Sequence, residues 1–113
     1  MKITIWNEFI QEKTEEPVAE AYPNGIHNVI ADYLRSEGLD VGTATLNEPE
    51  HGLSEATLSE TDVLVWWGHK AHREVDDKIV DKIRDRVLNG MGLVILHSAH
   101  YSKIFKRMMG TSC

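Results

Sequence analysis

Apolar positions along the chain switch between strand-like runs and helix-like spacing. Lys2 to Trp6 is a short β-rich run and predicts a first strand at the start of the chain. NEFIQEKTEEP follows, polar and acidic as far as Pro17. It is long for a loop, which points to a functional or partly helical segment. Pro23-Asn24-Gly25 then opens a helix. Its apolar residues Ile26, Val29, Ile30, Tyr33 and Leu34 recur at i, i+3, i+4, i+7 and i+8 and define one face. Gly38 closes this helix.

Val41 to Leu46 alternates weakly and predicts a second strand, with NEPEHG as the loop after it. Ser54 is placed to cap a short helix through Leu58. Val63 to Trp67 is a continuous apolar run, as expected of a strand covered on both faces. Glu74 to Leu88 predicts a helix burying Val75, Ile79, Ile83 and Val87, flanked by Val80 and Leu88. Its acidic start and basic later turns suit the helix dipole. Gly92 to Leu96 is a fourth strand, and Tyr101 to Met109 a last helix with Ile104, Phe105, Met108 and Met109 apolar.

Strands and helices therefore alternate, with buried apolar strands. That order predicts an α/β protein with a doubly wound, flavodoxin-like parallel sheet and helices on both faces. Four strands leave such a sheet with a bare edge. The expectation is one domain, residues 1–113, truncated after the fourth strand and able to associate with a second copy as a homo-oligomer.

Composition narrows the function. The net charge is -6, so a nucleic-acid partner is not expected. The one cysteine, Cys113, cannot form an internal disulfide. No apolar run is long enough to span a bilayer, so no membrane partner is expected, and no signal peptide is recognisable. A cytoplasmic location is the expectation. No glycine loop cradles phosphate after the first strand, so neither nucleotide nor flavin is expected.

Ligands of doubly wound sheets bind beyond the carboxyl ends of the strands. There the predicted topology gathers Asn7 and Glu8, then Asn47, Glu48, Glu50 and His51, then His69 and His72, then His97, Ser98 and His100. Imidazole and carboxylate suit zinc or another divalent metal, with His69 and His97 as core ligands and Glu8 completing the set. Ser98 is either a nucleophile near His97 or His100, or the cap of the following helix; the glycines of a nucleophile elbow are missing around it. Glu8, His97, Ser98 and His100 are thus the catalytic candidates, and Asn7, Glu8, Trp67 and His72 the ligand-binding ones. Trp66 and Trp67 point to opposite sides of the sheet, one to the core. The other, with Trp6, either packs in the core as well, the better-supported expectation, or lines a pocket for a sugar face.

Several blocks resemble the ThuA-like family, the trehalose utilisation proteins: WNEF, AYPNGIH, TATLNEPEHGL, DVLVWWGHKAH and MGLVILHSAHYSKIFKRMMGTSC. The resemblance runs over essentially the whole chain and about the N-terminal half of the family's domain. It implies a fold related to class I glutamine amidotransferases and a role in the uptake or breakdown of trehalose or related disaccharides. That superfamily carries a cysteine at the strand-to-helix elbow, where this chain has His97, so glutaminase activity is not implied. The family's first block commonly reads WNEFRHE, and Gln11 stands in place of its histidine. The resemblance implies a small-molecule sugar as substrate or ligand and leaves two classes open. One is an enzyme with a His-rich site. The other is a non-catalytic domain that recognises a sugar or a partner protein.

Overall fold

The computed structural model describes residues 1–111; Cys113 and the expectation attached to it lie outside that range. Four parallel strands, β1 (Lys2–Asn7), β2 (Asp40–Thr45), β3 (Val63–Trp67) and β4 (Gly92–Ile95), form one sheet in the order β2-β1-β3-β4. This is a flavodoxin-like order. Its switch point lies between β1 and β3, where the connections leave in opposite directions along the sheet.

Alternation along β1 divides the core. Ile3 and Ile5 face one side, where they pack with Val41, Val65 and Ala31 under α3 (Ile26–Ser36). Trp6 faces the other, with Leu64, Trp66, Ile79, Val80, Ile83 and Ile104. That side is covered by α4 (Glu55–Glu60), α5 (Asp77–Leu88) and α6 (Lys103–Met109). Trp6 and Trp66 are register partners, and their rings stack with centroids 3.8 Å apart. Trp6 is therefore core rather than pocket lining, at 1% exposure. Burying such rings, at about 25 cal/mol per Å² of apolar area, makes them major contributors to stability.

The acidic segment after β1 is partly helical, as expected: it folds as two short helices, α1 (Gln11–Thr14) and α2 (Glu16–Ala21), with Pro17 in the first turn of α2, where its missing N–H costs nothing. Other elements differ from expectation for identifiable reasons. The stripe that α3 buries is His27, Ile30, Ala31 and Leu34, one position round from the apolar one. Val29 and Tyr33 are left 51% and 65% exposed. His27 draws the helix round because it bonds to Asn7 beneath it. α5 begins at Asp77, since Asp76 caps it by accepting the Lys78 N–H at 2.9 Å and Val75 is extended; Leu88, at its end, is 68% exposed.

Candidate functional site

The site is built around the chain crossing from β1 to β3. Glu8 follows β1 directly and is 1% exposed. Its Oε1 accepts the backbone N–H of Lys70 at 2.6 Å and its Oε2 that of Ala71 at 2.8 Å. A buried carboxylate needs such donors, and charge-assisted bonds of this kind are among the strongest in proteins. Glu8 thereby fixes the turn that carries Gly68, His69, Lys70 and His72. Gly68 has little room for a side chain there. A Cβ at that position would lie 3.2 Å from His72 Nδ1 and 3.4 Å from Glu8 Oε2.

Across the sheet edge, β4 brings the second group. His69 Nδ1 lies 2.7 Å from Ser98 Oγ, and Ser98 Oγ is also 3.4 Å from the Gly68 carbonyl. The Trp67 indole N–H donates to the His97 carbonyl at 3.0 Å, and the Trp67 ring lies roughly parallel to that of His69. His97, His100, Tyr101 and His72 continue the rim, with successive ring centroids 5.6, 4.4 and 6.5 Å apart. A cavity of about 260 Å³ opens beside it, lined by Ile95, Leu96, His97, His100 and Phe105. Burial pushes the His72 imidazole below its ordinary pKa, Glu8 opposes this, and the neighbouring His69, Lys106 and His100 add to it. Hydrogen bonds from Lys70 and Gln11 hold the Glu15 carboxyl below its usual value, and Lys70 Nζ lies 3.1 Å from Glu15 Oε1.

Thus His69, His72, Trp67, His97, Ser98 and His100 meet at one edge. Asn7 and His51 do not join them. Asn7 is fully buried: its Oδ1 accepts the Phe9 N–H, and its Nδ2 bonds Glu12 Oε2 at 2.6 Å and His27 Nδ1 at 2.9 Å. His51 bonds the Leu46 carbonyl through Nδ1 and the Asp76 N–H through Nε2, while its own carbonyl accepts the Trp6 indole N–H. Glu48 turns back onto Thr45. Ser98 does not cap the last helix through its side chain; Ser102 does, accepting the Phe105 N–H at 3.2 Å, because a short 3-10 turn, Ala99–Tyr101, intervenes.

The sequence reading overlooked a buried pair beneath the site, Glu12 and His27, each 3% exposed. Glu12 Oε2 also accepts the Ile26 N–H at 3.0 Å and so caps α3 from outside it, while its Oε1 is buried without a partner among the described residues. Gly25, at φ 87°, leaves the space that the His27 ring fills. The one available signal was the PNGIH turn. Glu12 sits in an acidic run that otherwise reads as solvated.

The residues named for a metal are mostly engaged elsewhere, although His69 Nε2 has no partner among the described residues. Both Glu8 oxygens face backbone N–H groups and His69 Nδ1 faces Ser98, and among the described residues no group of three His, Cys, Asp or Glu side chains is arranged to hold an ion.

Fold and site together define an open parallel α/β protein with a histidine-rich rim at the carboxyl ends of β3 and β4, beside its topological switch point. The family model described as ThuA, trehalose utilisation, matches residues 2–113. The chain belongs to the ThuA family and is a protein of the trehalose-utilisation type. No curated protein matches it. Among the described residues no helix is long and apolar enough to cross a membrane.

Proposed function

We propose that the cleft at the ends of β3 and β4 takes a disaccharide of the trehalose class, or an oxidised derivative, in a cytoplasmic setting. The observation that carries this is the meeting of His69 with Ser98 at 2.7 Å, two residues 29 positions apart, on a turn held by Glu8. Imidazole and hydroxyl groups on a preorganised turn suit the dense hydroxyls of a sugar. The half-buried Trp67 and the 54% exposed Tyr101 offer apolar faces beside them. His69 and His72 are the groups placed to exchange protons with a bound hydroxyl.

One feature favours the alternative of a binding domain without turnover. The deeply buried carboxylate at the site, Glu8, has both oxygens engaged by the backbone and is not free as an acid or base. Calorimetric titration with trehalose and with its oxidised derivatives, followed by product analysis, separates the two. Binding with product supports an enzyme, and binding alone supports a sugar-recognition domain. No binding to any of these, in protein whose fold is intact, sinks the sugar site.

A further inference from the structure

We propose that Ser98 presets His69 as a proton acceptor by holding its imidazole in the Nδ1–H tautomer, with Nε2 unprotonated and open to a ligand hydroxyl. The role assigned to that acceptor rests on the sugar site above; the tautomer itself does not.

The inference follows from counting hydrogens. The Ser98 hydroxyl has one, and two groups lie within reach of its oxygen: His69 Nδ1 at 2.7 Å and the Gly68 carbonyl at 3.4 Å. A carbonyl can only accept. Gly68 is a buried residue, and Ser98 is the donor its carbonyl has among the described residues. A carbonyl in a part-buried position is stabilised by keeping that donor. Ser98 therefore gives its hydrogen to Gly68 and must accept from His69, so the ring proton sits on Nδ1. The chain runs in one direction, from His69 N–H to the Ser98 hydroxyl to the Gly68 carbonyl. The reverse arrangement, with Ser98 donating to Nδ1, points the hydroxyl lone pairs at the Gly68 oxygen.

Two other histidines show how partners set the ring. His51 has Nδ1 against the Leu46 carbonyl and Nε2 against the Asp76 N–H, which makes it an Nδ1–H tautomer with both nitrogens occupied. His27 Nδ1 lies 2.9 Å from the Asn7 amide nitrogen, whose oxygen already takes the Phe9 N–H, and Nε2 lies 3.4 Å from the Asn28 amide nitrogen; the shorter contact makes Nδ1 the acceptor and puts the proton on Nε2. His69 differs from both. Its ring is exposed, and Nε2 has no hydrogen-bond partner among the described residues. The hydrogen bond on one ring nitrogen dictates the chemistry available at the other. Here it leaves an acceptor facing outward, suited to a ligand that donates, such as a sugar hydroxyl. Transfer of that proton to Nε2 gives an imidazolium and an alkoxide, and its return restores both. Ser98 is then a positioning residue, and His69 the group that touches the ligand.

The test is long-range ¹H–¹⁵N correlation of the histidine rings in the full chain at alkaline pH, where free imidazole is neutral, with His69 assigned by its loss in His69→Asn. His51 and His27 serve as references of opposite tautomer in the same spectrum. A protonated Nδ1 and a bare Nε2 on His69 are expected, lost in Ser98→Ala and kept in Ser98→Thr. An Nε2–H form in the unaltered protein overturns the proposal, whether or not the variants fold. So does a pattern that is unchanged in a folded Ser98→Ala. Sugar titration of the same samples reads the sugar site separately: the tautomer present without sugar binding sinks the sugar site alone.

Discussion

The Glu8 carboxylate at the end of β1 accepts the backbone N–H of Ala71 at 2.8 Å, a contact that spans 63 positions of the chain. With the neighbouring bond to Lys70 it ties the first strand to the turn that carries two of the site's histidines. Removing the side chain leaves two N–H groups without a partner. Glu8→Ala is therefore expected to cost about 3 kcal/mol in urea unfolding, roughly twice the net worth of one hydrogen bond to a charged group. Glu8→Gln keeps one acceptor and loses less. A cost under about 0.5 kcal/mol for Glu8→Ala, the ordinary scatter of surface changes, contradicts the clamp.

Gly68→Ala tests the packing of the same turn without touching a charge. The added methyl group meets His72 and Glu8 at the tight separations described above, so the imidazole must move. A destabilisation of about 1–3 kcal/mol is expected, as for other overpacked sites. The His72 ring resonances should shift more than those of His51, which lies outside this turn. Equal shifts at both would mean that the change is global.

Stability should fall on the mildly acidic side. Burial lowers the folded-state pKa of both His27 and His72 below the ordinary histidine value of about 6.5. The unfolded chain then binds more protons than the native one over that interval. The contribution from these two rings is fully present above about pH 6.5 and is lost as pH falls through the lowered folded values. Urea midpoints measured from pH 8 to pH 5 should decline, and the decline should be shallower in His27→Gln and in His72→Gln. An unchanged slope in both variants removes these histidines as its cause.

Ser98 and Ser102 should differ sharply in what they stabilise. Ser102 is buried and caps α6 through its hydroxyl, so Ser102→Ala should cost about 1 kcal/mol. Ser98→Ala removes no helix cap and should cost about half of that or less, while altering His69. Comparing the two by chemical denaturation and by the His69 resonances distinguishes a structural serine from a positioning one.

The alternation of periods in the chain carried the fold. β3 falls on the apolar run Val63–Trp67, and the parallel sheet follows once strands and helices alternate, with β2-β1-β3-β4 one of the orders that right-handed crossovers allow. What the pattern could not carry was the phase of α3. A polar residue, His27, is buried there by a partner 20 positions away, and hydrophobic spacing does not register such a bond. The burial of Glu12 in the acidic segment after β1 was not legible for a related reason. Glu12 is buried because it meets Asn7 and the Ile26 N–H, whereas its sequence neighbours are exposed or half-buried.

The sheet edge on which these residues meet was legible, since the carboxyl ends of parallel strands are a property of topology. The partners within it were not. Ser98 was weighed against His97 and His100, its neighbours in sequence, and meets His69. Side-chain direction at a strand end depends on the turn that follows, and here Glu8 sets that turn. His51 illustrates the opposite failure: a histidine at the right edge whose two ring nitrogens both serve the backbone.

The stacked rings of Trp6 and Trp66 have a use beyond packing. Two indoles held face to face at 3.8 Å with 9° between their planes are placed for excitonic coupling, expected as a couplet in far-ultraviolet circular dichroism. Trp67, on the opposite face of β3, stands outside the couple. The junction of β1 with β3, which carries both ends of the Glu8 clamp, therefore has an optical signature of its own. Its separation can be followed without a label and apart from the fate of β2 or β4.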